Sequence, residues 1–204
     1  MNDDERAFAL EVDGDHLGDD DVDASLVKFE GSSDLVGLIE DRPLMRLPER
    51  ICFEANTDTL KQVDYPINDQ AWPIMSTRML GVLRAVGDFP HRAIPLIMLD
   101  DTVEGKFDAA GPPRLGVANH DFVAVQLTSY TDAFDWDRSE YTRSALADDR
   151  ILKAKRLVLT DAPLPPLFRL SARPGPLLVS AAARAALEKA GIGGVRFVQL
   201  KYIF

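Results

Sequence analysis

Two stretches of this chain, 74–96 and 178–200, follow one physical plan at a constant offset, and that plan restricts the fold more than any other feature of the sequence. Each opens on a short apolar run and then a serine, Ser76 or Ser180, whose hydroxyl can accept a hydrogen bond from a backbone N–H at a helix start. Apolar residues follow at helical spacing: Met79, Val82, Leu83 and Val86 in one stretch, Ala183, Ala186, Leu187 and Ala190 in the other. Gly87 and Gly191 stand where a C-terminal cap tolerates left-handed backbone. A second strand closes each unit, with Arg92 falling on Arg196 and Leu96 on Leu200. Only five of the 23 positions are identical, but cap, apolar face and terminator do different physical jobs, so their coincidence outweighs the identity. Two copies are too few for a solenoid. The expectation is an α+β fold with mixed or antiparallel sheets and two related strand–helix–strand units, copies 74–96 and 178–200, that arose by internal duplication.

The rest of the chain supports strands more than helices. Residues 7–12, AFALEV, read as a first strand, and 50–55, RICFEA, alternate like a half-buried one. The stretch 24–40 mixes apolar residues with a Gly-Ser-Ser break and suits helix or strand, whereas 56–70 is polar and reads as irregular. Residues 93–99 form a buried strand in which Pro95 requires an edge or a bulge. The turn-rich insertion 100–119 precedes a strong strand at 122–128, with Phe122, Ala124 and Gln126 on one face and Val123, Val125 and Leu127 on the other. Further strands are expected at 151–160 and 167–170. In outline, 1–69 form an acidic segment with strands packed on a duplicated region, 70–204, in one compact domain.

Charge narrows the partners. The net charge is −10, yet 1–24 carry −9 and 150–204 carry +8. Such an acidic object disfavours nucleic acid as a bulk polyanion partner. No apolar run approaches the roughly 20 residues of a membrane span, and the N-terminus has neither the basic start nor the apolar core of a signal peptide, so a cytoplasmic location is expected. Cys52 is the only cysteine, which rules out an intramolecular disulfide and a thiolate zinc cluster.

Candidate chemistry is sparse. Asp19, Asp21, Asp23 and Glu30 approximate calcium-loop spacing, but Ala24 replaces the turn glycine and a solvated acidic loop is the better reading. Asn119-His120-Asp121 lie in line along the chain, which points adjacent side chains apart. Ser76 and Ser180 are caps before they are nucleophiles, Gly191, Gly193 and Gly194 end a helix rather than open one, and Cys52 sits in a strand, more suited to burial than to reaction. Arg92 and Arg196 are placed to pair with carboxylates between the halves. No catalytic residue, metal ligand or cofactor site is expected. The best interaction candidate is the acidic-aromatic segment holding Tyr130, Asp132, Asp135, Trp136, Asp137, Glu140 and Tyr141. Aromatic anchors beside carboxylates suit a basic protein partner. Alternatively, Phe134 and Trp136 are core residues of a short helix whose acids face water.

Several of these segments carry a family likeness. Trp72-Pro73-Ile74-Met75-Ser76 at the first helix start, Asp132-Ala133-Phe134-Asp135-Trp136-Asp137-Arg138-Ser139-Glu140-Tyr141 in the middle, and Leu167 to Phe197 at the end resemble a bacterial family first described as a domain of unknown function and later assigned to immunity proteins of polymorphic toxin systems. The likeness covers about residues 70–200 and departs from the family at Ala181, where a glutamate is common. It implies a cytoplasmic, non-catalytic protein that binds and neutralises a cognate toxin. The competing expectations are an enzyme of unrecognised class, or a structural or regulatory module of a secretion-linked assembly.

Overall fold

The computed structural model describes residues 6–15, 17, 22–31, 47–109, 111–145, 147 and 149–202. The chain begins with strands β1 (Ala7–Val12), β2 (Ala24–Glu30) and β3 (Arg50–Ala55), followed by a one-turn helix α1 (Thr57–Leu60). Next come β4 (Ile74–Ser76), helix α2 (Thr77–Val86), β5 (His91–Pro95), β6 (Ile97–Asp100), β7 (Ala118–Asn119) and β8 (Phe122–Leu127). The last third holds β9 (Glu140–Arg143), β10 (Ile151–Arg156), β11 (Leu167–Leu170), β12 (Arg173–Ser180), helix α3 (Ala181–Lys189) and β13 (Val195–Gln199). The sheets are ordered β11-β12-β1-β13, β2-β3-β6-β7, β4-β8-β5 and β10-β9. Strand pairs are antiparallel except β3 with β6. The fold is α+β, mostly strand. No helix among the described residues is long and apolar enough to cross a membrane.

Both serines cap helices as their chemistry requires. Ser76 Oγ accepts the Met79 N–H at 3.0 Å and Ser180 Oγ the Ala183 N–H at 3.3 Å. The C-termini differ. Gly191 takes φ +63°, the Gly191 N–H bonds Glu188 O and the Ile192 N–H bonds Leu187 O, which is a Schellman closure with Ile192 packed in the same core as Leu187. Gly87 instead is extended, at φ 166°, so the shared glycine does not do one shared job. The chain beyond Gly87 runs into Pro90, whose ring disfavours helical backbone at Phe89.

The two helices lie on one apolar core built from Met79, Leu83, Ala183 and Leu187 together with Val123, Val125, Leu127, Phe8 and Leu10. Strand β8 supplies the opposite face to a second core: Phe122 and Ala124 meet Phe53, Trp72, Ile74 and Ile94. Both faces of β8 are therefore buried, as a doubly apolar strand demands. The single strand expected at 93–99 is two strands. The chain leaves the β4-β8-β5 sheet at Pro95, on an edge, and enters the other sheet as β6. Strand β3 is not half-buried, since β2 and β6 flank it and Ile51, Cys52 and Phe53 are all within 1% of complete burial.

The larger surprise is the burial within 56–70. Apart from α1 it is irregular, as its polar composition leads one to expect, but Val63, Asp64, Tyr65, Pro66 and Asn68 are buried. Asn68 closes the turn by bonding Trp72 through both its amide atoms, at 2.9 and 3.0 Å. Asp64 joins the two strand–helix–strand regions. Its carboxylate accepts Ser76 Oγ–H at 2.5 Å, Arg78 Nε–H at 3.1 Å, a second bond from Arg78 Nη2, and the Gly193 N–H at 3.0 Å. Arg78 also reaches the carbonyls just past α3, Ala190 O and Gly191 O, both at 3.2 Å. Only glycine fits at 193 and 194: a Cβ at 193 would strike the Gln62 carbonyl, and Gly194 has φ +75° with Val63 Cγ1 2.5 Å from a Cβ position.

Candidate functional site

The segment 130–141 is neither helix nor free loop. Backbone bonds stitch it to β11 and to the chain between β10 and β11: Thr131 N–H to Arg169 O at 2.8 Å, Asp135 N–H to Val158 O at 3.0 Å and Thr160 N–H to Ala133 O at 2.9 Å. Phe134, 2% exposed, goes into a third core with Ala154, Leu159 and Phe168. Asp135 then folds the chain over. One carboxylate oxygen accepts the Asp137 and Arg138 N–H groups, at 3.1 and 2.8 Å, and the other accepts Arg138 Nε–H at 2.6 Å. These bonds, those from the Arg138 side chain foremost, hold the Asp135 carboxyl below the ordinary carboxylate range.

That turn delivers an aromatic cluster. Phe134, Trp136 and Tyr141 meet edge-to-face, with ring centroids 4.7, 5.4 and 5.3 Å apart. Trp136 and Tyr141 are half-buried, and the guanidinium of Arg143 lies over both rings at 4.9 and 5.6 Å. Tyr130, 37% exposed, carries Arg150 over its ring at 5.7 Å. Of the expected contact residues, Asp132, Asp137 and Glu140 are exposed, whereas Asp135 is engaged within its own turn. Glu140 faces Lys155 at 3.5 Å. The short-helix alternative fails for want of a helix, although its assignment of Phe134 to the core holds.

Apart from Arg138, the cations were not legible from the segment itself. Arg138 lies within it and Arg143 two residues beyond it, but Arg150 and Lys155 arrive from the β10 side of the ribbon, and the antiparallel β9–β10 pairing brings them over. A signal was present in the basic run Lys153 to Arg156, whose location beside the aromatics requires the tertiary fold.

Other candidates resolve into structure. Cys52 is fully buried, and that burial pushes its thiol up against the opposing pull of Arg50 and Lys28. Glu30 sits in β2 and pairs Lys28 and Arg50 at 3.0 and 3.2 Å, while Asp23 accepts the Ile67 N–H; Asp19 and Asp21 lie outside the described residues, as does His16. His120 and Asp121 are exposed in the turn between β7 and β8. His91 stacks on Phe89 and lies 3.0 Å from Arg84 Nη2. Arg196 does pair with a carboxylate, Glu11 at 2.8 Å, but on the neighbouring strand of its own sheet rather than across the halves. A polar recess of about 250 Å³ opens at the carboxyl ends of β3 and β6. Its Glu54 is paired with Lys106 and its Asn56 caps α1, so these groups serve the fold. Among the described residues no group of three or more His, Cys, Asp or Glu is placed to hold a metal. No protein-family model matches the chain, and no curated protein matches it.

Proposed function

We propose that this protein is a non-catalytic binding protein that occludes a cognate toxin of a polymorphic or contact-dependent system, with the 130–141 segment at the contact. The observation that carries a binding role is the half-buried pair Trp136 and Tyr141, held at the surface by a turn with its own hydrogen bonds and backed by buried Phe134. Rigid aromatics supported from beneath lose little entropy on binding, which is why such residues dominate interface energy. The toxin class rests on the sequence likeness alone. Co-expression with the product of the neighbouring gene tests it: rescue of growth, a stable complex on size exclusion and neutralisation saturating at one to one are expected. Neutralisation at far below stoichiometry would favour an enzyme instead, and absence of both rescue and complex would contradict the reading.

We also propose that the scaffold arose by internal duplication. Two registers support this. Ile74, Met75 and Ser76 pair with Ala124, Val123 and Phe122, and Leu178, Val179 and Ser180 pair with Ala9, Phe8 and Ala7. On the other side of the same central strands, Pro95 pairs with Val123 and Gln199 with Phe8. The offset that aligns the sequences thus aligns the pairings. In one unit the central strand follows the repeat as β8; in the other it precedes it as β1.

A further inference from the structure

We infer that the outer surface of the β9–β10 ribbon is a docking site for an acidic, extended segment of a protein partner, an inference that rests on the binding role proposed above and names the chemistry of what is bound. The geometry of β10 points there. A regular strand alternates buried and exposed residues with a period of two, but β10 reads buried, exposed, exposed, buried, exposed, exposed. The cause is in the register. Ile151 pairs with Arg143, Lys153 with Thr142, Ala154 with Tyr141 and Arg156 with Glu140, so the ladder slips between Ile151 and Lys153 and again between Ala154 and Arg156. Each slip inserts one extra residue, Leu152 and Lys155, and bulges of this kind re-aim side chains. As a result Leu152, Lys153, Lys155 and Arg156 all face water on one six-residue strand, with Leu152 66% exposed.

Charge decides what fits. The two strands hold Arg143, Lys153, Lys155 and Arg156 against Glu140 alone, on a protein whose net charge is −10. An open groove of about 560 Å³ crosses the ribbon between Tyr141 and Thr142 on one strand and Lys153 and Lys155 on the other. A partner carrying carboxylates meets the cations, and one apolar residue among them meets Leu152. A nucleic acid would carry its charge past the ribbon onto exposed Asp132, Asp137 and Asp161, where it is repelled. A short acidic segment, matched to a strand of six residues or about 20 Å, avoids that repulsion.

The purified full chain and a fluorescein-labelled polyglutamate peptide of about ten residues test the inference by anisotropy. Binding at low salt that weakens about tenfold in the double variant Lys153→Glu/Arg156→Glu, with the urea midpoint unchanged, supports it. Leu152→Asp should weaken binding of a mixed Glu-Leu peptide more than that of polyglutamate. Equal binding by the wild type and the double variant overturns it, as does absence of peptide binding, or tighter binding of a single-stranded oligonucleotide of equal length. A toxin complex that forms normally with the double variant would remove this surface while leaving the binding role intact.

Discussion

Asp64 and Asp135 make the same kind of constellation for opposite ends. Each is a carboxylate gripping an arginine within the next fourteen residues and accepting at least one backbone N–H besides. Asp64 has a side chain 8% exposed, and its partners come from two separate regions, the start of α2 and the Gly193 turn. The Asp135 carboxylate takes its partners from the turn it begins. The first is a seam, the second a local brace for an aromatic surface. A hydrogen-bonded carboxylate therefore reveals its role by the sequence distance of its donors, more than by their number.

The sharpest way to break the comparison is Asp64→Ala. It leaves the buried Ser76 hydroxyl and the Gly193 N–H without their acceptor, each costing about 1–3 kcal/mol, while half-exposed Arg78 can turn to water. Urea denaturation should register a loss of about 3–4 kcal/mol. Leu83→Ala and Leu187→Ala, both at fully buried positions beneath the helices, should each cost about 3 kcal/mol, and similar values at the two would sharpen the case for duplication. Gly193→Ala, which drives a methyl into the Gln62 carbonyl, should cost about 2 kcal/mol by displacing the 62–65 segment.

Acid provides a test with a fixed sign. Burial alone would push the Asp64 carboxyl up, but the bonds from Arg78, Ser76 and Gly193, with the Arg78 charge, outweigh it and hold the carboxyl below its ordinary value. A carboxyl lowered in the folded state stabilises fully above its unfolded value near 4 and loses that contribution as pH falls through the folded value. Stability measured from pH 5 to pH 2 should therefore fall less steeply in Asp64→Asn than in the parent. The smallest effect belongs to Asp135→Ala, which should move the urea midpoint far less than Asp64→Ala because the donors it loses are local to its own turn.

Those contrasts also explain what could be read in advance. Ser76, Ser180 and the Schellman glycine Gly191 were legible because their causes are local to a few residues. The two faces of β8 were legible because period-two alternation persists even when both sides are buried. Asp64 was invisible: its burial depends on Gly193, far along the chain, and a polar stretch looks solvated until its partners arrive. The sheet switch at Pro95 and the bulges of β10 were hidden for the same reason, since sequence alternation says nothing of which strand lies alongside. The aromatic-acid segment could be read as a stretch, but not its neighbours, because Lys155 reaches Glu140 from β10 only through the β9–β10 pairing.

The measurement that bears most directly on this division of labour pairs affinity with stability in Trp136→Ala and in Asp64→Ala, using the product of the neighbouring gene as partner. Trp136→Ala should weaken the complex at least about tenfold, as loss of an interface aromatic does, while keeping most of the parent's urea stability; Asp64→Ala should destabilise the fold yet bind normally where it is folded. Unchanged affinity in Trp136→Ala, or a specific binding defect in folded Asp64→Ala, would contradict the assignment of seam and contact surface.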